Sequence, residues 1–362
     1  MNSRFRYTVI VASLTLCFIA SGCQQIQKII SPIPPAMREA DGSDKRIVNV
    51  GFYAHFAPIS YSTNSDPVSD GFNTHLGYES DLLTAIEAME GTAICFSRKG
   101  IAEWSNIWLK AAEPGYDLIA GGITILDSRR HDATGTPRVA FTSGHIVFRQ
   151  SLLVRAQDAD RLSTYASLRR DVKVGVLSGT TGESRLLEIT GIVDVRGVLV
   201  AGTRIETPQG TLIADGTDAY QITAAGASAS LVGRRMLYPP SDNMPQVIYL
   251  GDAVGEAALF EALADGSIDA IARGEIGNRE GASVSDGAFV VTALDEQVEY
   301  GGFTLAHGET ALLAALNTWI NYLTDDQNIG YAQWSTDPQV FLRRAEMWNA
   351  SRKGKENEKI SG

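Results

Sequence analysis

Residues 172–189 read VKVGVLSGTTGESRLLEI. The stretch is a short apolar strand, a Ser-Gly-Thr-Thr turn and a helix. Free backbone N–H groups at a helix N-terminus favour anions, and the helix dipole adds to that preference. Thr180 and Thr181 add hydroxyl donors at the same place. Those hydroxyls are also good helix caps, and capping uses only one or two donors. A second strand end has a similar chemistry. Residues 116–130 read YDLIAGGITILDSRR, in which a buried strand runs into Gly121-Gly122, followed by Thr124 and Arg129. Glycine permits close approach to the backbone, while a hydroxyl and a guanidinium fork offer directional donors to one carboxylate. Alone, this second stretch reads as an ordinary strand-to-helix turn with a surface Arg.

Further short apolar runs lie at 46–52 (RIVNVGF), 247–250 and 268–272 (IDAIA). Between them, helical spacing relates Leu82, Leu83, Ile86 and Met89, then Ala257, Leu259, Phe260 and Leu263, then Leu312, Leu313, Leu316, Trp319, Ile320 and Leu323. Strand–helix alternation predicts an α/β fold with largely parallel sheets. The length of 362 residues is enough for two cores. Residues 195–224 break the alternation with β-rich pieces separated by Gly, Pro and Asp, and Thr207-Pro208-Gln209-Gly210 reads as a tight turn. An antiparallel insertion at about 192–245 is expected there. The tail 351–362 is charged and is expected to be flexible.

The formal net charge of −11 disfavours nucleic-acid binding, which needs a basic footprint. Three Cys and five scattered His make no CxxC or HExxH pattern, so no metal site and no cofactor are expected. The N-terminus reads as an address. Arg4 and Arg6 precede the apolar run 7–20, which falls short of the roughly 20 residues that span a bilayer as a helix. The run ends in Ala20-Ser21-Gly22-Cys23, which resembles a bacterial lipobox. That resemblance implies a signal peptide over 1–22, cleavage before Cys23, lipid on its thiol and an extracytoplasmic location, periplasmic or cell-surface. Residues 23–44, with Pro32, Pro34 and Pro35, read as a tether. Cys95 is expected to be a buried thiol.

Six motifs in order resemble the solute-binding proteins of polar-amino-acid ABC transporters, the bacterial extracellular solute-binding protein family 3. They are GFYAHFAPISY (51–61), GYESDLLTAI (77–86), EWSNIW to YDLIAGGIT (103–124), GTTGE (179–183), DGSIDAIA (265–272) and GGFTLAHGETALLAALN (301–317). The resemblance implies a two-lobed type II periplasmic-binding-protein fold, each lobe a mixed, mainly parallel sheet with flanking helices. Lobe 1 would take 45–147 and 298–350, lobe 2 would take 148–297, and two crossing strands near 144–151 and 294–301 would form the hinge. It also implies a monomer that binds an amino acid or related carboxylate and serves an ABC permease.

Carried over by residue, Arg129 and Thr124 would clamp a ligand carboxylate beside the Gly122 backbone. Thr180 and Thr181 would complete that site, and Phe56 and Trp104 would hold the ligand side chain. The family's ammonium-binding Asp is replaced by Gly274. Either Glu275 reaches the ammonium, or Arg273 selects an anionic group. Tyr53 stands where relatives for basic side chains carry an acid. No catalytic residue is expected. A dehydratase-like enzyme on the same fold, with Glu275 or His55 as acid, is one alternative. A ligand-sensing adaptor lipoprotein is another.

Overall fold

The strand Arg46–Tyr53 is followed at once by a small three-stranded sheet (His55–Phe56, Ser60–Ser62 and His75–Leu76) and then by helix α1, Tyr78–Ala88. The computed structural model describes residues 45–251 and 255–361. The expected signal peptide, Cys23 and tether lie outside these residues.

Arg46–Tyr53 is an interior strand of a five-stranded sheet. Ile94–Ile101 and Leu118–Ala120 pair with it in parallel. Thr304–Ala306 returns antiparallel beside Leu118–Ala120 and pairs with Val139–Phe141. A second, eight-stranded sheet runs in the order Gly210–Ile213, Arg204–Thr207, Met236–Tyr238, Gln246–Tyr249, Lys173–Val176, Ala270–Gly274, Gln150–Arg155 and Phe289–Leu294. Its parallel pairs are the two made by Lys173–Val176. The sheet is therefore mixed but not mainly parallel, which corrects that part of the expectation. The antiparallel strands come from two sources. The β-rich segment adds three, with the expected turn placing Thr207 opposite Gly210. The chain entering and leaving the sheet adds Gln150–Arg155 and Phe289–Leu294.

The two sheets are joined where Ile146–Phe148 and Glu299–Gly301 cross as an antiparallel ladder, with Glu299 opposite Phe148 and Gly301 opposite Ile146. These are the crossing strands expected of the hinge.

Helices α2 (Thr181–Ile189), α3 (Glu256–Asp265) and α4 (Glu275–Ser283) accompany the second sheet. Helices α5 (Thr310–Leu323), α6 (Tyr331–Thr336) and α7 (Val340–Ser361) follow the return to the first. The apolar stripe of α5 buries Leu312, Leu316, Ile320 and Leu323, as its spacing predicts. The first core gathers Val48, Val50, Leu82, Ile86, Leu118, Leu316 and Phe341. The second gathers Val174, Leu186, Leu187, Ile205, Leu237 and Val247, so the β-rich segment shares the core of its sheet. Cys95 is buried.

Helix α7 continues through Ser361. Its first turns are fastened to α1. Phe341 is fully buried with its ring edge-on to Tyr78 at 5.3 Å, and the Trp348 indole donates to the Glu90 carbonyl at 3.0 Å. Deleting a buried aromatic ring leaves a cavity that the surroundings only partly fill. Phe341→Ala should lower stability by about 3–5 kcal/mol, read from urea unfolding. A loss under about 1 kcal/mol would mean that α7 is not part of the core.

Candidate functional site

Tyr53 ends the first strand, and Gly121-Gly122 ends its neighbour. The turn is fixed by Glu79 of α1, whose fully buried carboxylate accepts from Gly121 N at 2.7 Å and Gly122 N at 3.1 Å. Gly122 has φ +63°, and a Cβ there would lie 2.6 Å from the Phe56 ring. Glycine is thus required on both backbone and steric grounds. The turn leaves Phe56, Trp104, Gly122 and Thr124 on one wall of a cleft. Leu177, Thr180, Thr181, Gly182, Glu256, Arg273 and Gly274 form the other wall, and Phe148 and Gln150 lie at the hinge between. The empty volume is about 510 Å³, solvent at the mouth included, which suits a small solute.

The second wall depends on the start of α2. Thr180 caps the helix by accepting from Glu183 N at 3.2 Å, and its hydroxyl donates to the Leu177 carbonyl at 2.8 Å. Glu183 reaches back to Gly179 N at 2.6 Å and is held by Arg234 and by the Tyr249 hydroxyl at 2.7 Å. The expected cap is therefore present, and it consumes the Thr180 hydroxyl. The walls touch where the Trp104 indole donates to the Gly179 carbonyl at 2.9 Å.

Arg129 does not line this cleft. It is fully buried, with its guanidinium 4.4 Å from the Trp108 ring centre. Its donors go to the carbonyls of Thr124 at 3.2 Å, Gly179 at 3.2 Å and Ala224 at 3.0 and 3.1 Å. Ala224 sits in the bend between Ile222–Thr223 and Gly226–Ala227, so the β-rich segment supplies a partner that the resemblance did not foresee. Burial lowers the Arg129 pKa to about 9, against the pull of the Glu299 charge.

Glu275 is also off the cleft. It begins α4 and pairs with Arg279 at 2.6 Å one turn on. Glu256, at the start of α3, provides the cleft's carboxylate and is held by Arg273. Burial raises its pKa to about 7, which the Arg273 charge and hydrogen bond only partly oppose. Burial also raises the Tyr53 pKa, and the Glu256 charge adds to that.

Thr124 and Thr181 are together, but they face a carboxylate of the protein itself. Thr124 donates to Glu299 Oε2 at 3.0 Å, Gln150 Nε2 donates to Glu299 Oε1 at 3.0 Å, and Thr181 Oγ1 lies 3.3 Å from Thr124 Oγ1. Gln150 Nε2 donates as well to Thr181 Oγ1 at 2.9 Å. Burial raises the Glu299 pKa, while these hydrogen bonds and Arg129 act against the rise.

Residues 48–336 match the model of bacterial extracellular solute-binding proteins, family 3. The chain belongs to this family. Among solved structures it is similar to the ancestral amino acid-binding protein AncCDT-1, a precursor of cyclohexadienyl dehydratase, at 18% identity and a TM-score of 0.52, covering 83% of this chain and 95% of that one. The arginine-bound form of truncated ArgBP from T. maritima gives 18% and 0.50, covering 76% and 96%. An amino acid ABC transporter substrate-binding protein, AbpA from Streptococcus pneumoniae bound to L-arginine, gives 16% and 0.52, covering 83% and 95%. No curated protein matches the sequence. At these identities the structures establish the shared type II fold.

Of the solute-binding residues expected from sequence, Tyr53, Phe56, Trp104, Gly122, Thr124, Thr180, Thr181 and Arg273 line the cleft. Sequence reasoning missed Phe148, Gln150, Leu177, Gly182 and Glu256. Leu177 and Gly182 flank the Thr-Thr turn and were within reach of the same argument. Gln150 and Phe148 fell inside the expected hinge. Glu256 carried no sequence signal.

Glu256 makes the stability of this solute-binding protein pH-dependent. With its pKa raised from 4.5 to about 7, the folded protein keeps a proton that the unfolded chain has released. Its contribution is full below 4.5 and is lost as pH rises through about 7. Comparing wild type with Glu256→Gln by thermal unfolding across this range should show a smaller decline in the variant. Equal declines would overturn the assignment.

Proposed function

We propose that this family member is an extracytoplasmic lipoprotein, anchored through lipid on Cys23, that captures a small amino acid or related carboxylate and delivers it to an ABC permease. The observation that carries this reading is the cleft lined from both strand ends, with Phe56 and Trp104 on one wall and the Thr180-Thr181 turn on the other. Lobe 1 comprises 45–147 and 298–350, and lobe 2 comprises 148–297. The solute contacts are drawn from Tyr53, Phe56, Trp104, Gly122, Thr124, Thr180, Thr181 and Arg273. The protein works as a monomer. Solute stabilises the closed state because it touches both walls only when they approach, and that differential affinity drives closure.

The ladder between Ile146–Phe148 and Glu299–Gly301 supports a hinge, since two short crossings can bend without disturbing either core. A dehydratase-like activity relied on Glu275 as acid. Its pairing with Arg279, away from the cleft, removes that support. His55 does not line the cleft either, and burial lowers its pKa.

A solute at about 1,000 times its Kd adds about 4 kcal/mol of stability, which a thermal-shift panel of amino acids and related carboxylates detects readily. Trp104→Ala should weaken the responding solute at least tenfold in calorimetry, because it removes both an aromatic wall and the contact to Gly179. Unchanged affinity would place the solute elsewhere. Cys23→Ser should move the protein from the membrane to the soluble fraction of cells, and continued membrane retention would refute the lipid anchor.

A further inference from the structure

We propose that the hairpin 222–227 of the β-rich insertion is a latch, reaching from lobe 2 to clasp Arg129 and pack on the core of lobe 1, so that the protein's own contacts hold the lobes closed. The inference rests on the two-lobed hinge reading above and goes beyond it by giving the insertion a role.

The hairpin is rooted in lobe 2. Ile222 N donates to the Gly197 carbonyl at 2.7 Å, and Ser228 N donates to the Gln221 carbonyl at 2.9 Å. Ile222 is buried in the second core, and Ala227 packs against it. The tip is braced by its own side chain. The Thr223 hydroxyl accepts from Ala225 N at 3.2 Å and donates to the Gly226 carbonyl at 3.2 Å. That bracing turns Ala225 away from the second core. It packs instead against a cluster built from Tyr53, Ile107, Trp108, Ile123 and Phe141, all residues of lobe 1. One short hairpin thus buries apolar groups in both lobes, and the burial at its tip is lost when the lobes part.

The same tip holds a buried cation of the other lobe. Arg129 Nε and Nη2 both donate to the Ala224 carbonyl, at 3.1 and 3.0 Å, and Nη2 also donates to the Gly179 carbonyl at 3.2 Å. Within its own lobe the guanidinium reaches the Thr124 carbonyl, at 3.2 Å from Nη1. Three of these four hydrogen bonds therefore cross between the lobes. Hydrogen bonds to a charged group are the stronger kind, and a fully buried guanidinium stripped of its partners is costly. The Trp104 indole on the Gly179 carbonyl adds one more crossing contact. All of these are contacts of the protein with itself, so they favour closure whatever the cleft holds. A solute then enters through the minor open state, and its own contacts add to closure once it is inside.

The latch also bounds a second cavity, of about 1690 Å³ with solvent at the mouth included, lined from lobe 1 by Ser105 and His131 and from the insertion by Ala225 and Val232. Tyr53, Trp104 and Leu177 line both this cavity and the cleft, so releasing the tip would widen the two together.

Ser105 and Val232 are exposed and belong to different lobes, which makes them reporters of lobe separation. Full-length protein in detergent, unfolded in urea and refolded by dialysis to remove carried-over solute, would carry nitroxide labels on Ser105→Cys and Val232→Cys. Protein without the added cysteines is the labelling blank. Double electron–electron resonance should then give one dominant short distance. Ala225→Lys sets bulk and a like charge beside Arg129, and it should raise the ratio of long to short distances about tenfold. Arg129→Met keeps buried volume but removes the donors. It should have the same effect and carries the test if the lysine variant does not fold, which circular dichroism reports.

A wild type already spread over long distances would overturn the latch, and so would folded variants that keep the wild-type distribution. Adding Trp104→Ala to Ala225→Lys separates that failure from failure of the hinge. If only the double variant opens, the hinge stands and the latch is wrong. If the double variant also stays closed, the hinge reading falls with the latch.

Discussion

Glu79 is the group on which the arrangement of the cleft depends. Its carboxylate is fully buried, and such a group survives only if hydrogen bonds replace water. It accepts from the N–H groups of Gly121 and Gly122 and lies 2.9 Å from His145 Nε2. One side chain of α1 thereby ties the end of a central strand to the start of the hinge. The Tyr78 hydroxyl reinforces the tie by donating to the His145 carbonyl. Because the Gly121-Gly122 turn is held this way, Phe56 can lie against it without a Cβ between them.

Glu299 plays a comparable part on the other crossing strand. The hinge ladder is thus flanked by two buried carboxylates, one anchoring the first strand end and the other gathering Thr124 and Gln150, with Thr181 beside both. Arg129 compensates Glu299 electrostatically without a direct hydrogen bond, while stitching Thr124, Gly179 and Ala224 together. The polar interior of the closed cleft is therefore nearly satisfied by the protein's own groups. Selectivity in such a site comes from the few groups left over, since a solute must match them or leave them unpaired.

Much of this was legible from local patterns. The strand at 46–52, the helical stripes around Leu82, Leu259 and Leu316 and the cap at Thr180 all depend on interactions within a few residues. The Thr207-Gly210 turn was likewise readable. Sheet character was not, because whether a strand runs parallel or antiparallel depends on which distant segment joins it. The docking of α7 was not legible for a similar reason: its first turns are held by the end of α1 and the residues just after it, about 260 residues earlier in the chain.

The sequence by itself determined the α/β alternation, the family and most of the cleft's surface, because strand ends, glycine turns and helix caps are local features with recognisable residues. Only the tertiary structure decided what the charged residues do. Arg129 meets Ala224 across 95 positions, and Thr124 meets Glu299 across 175. A hydrogen-bonding side chain has more possible partners than its neighbours in sequence can reveal. Its role is set by whichever buried group needs it most, and that is known only once the chain has brought them together.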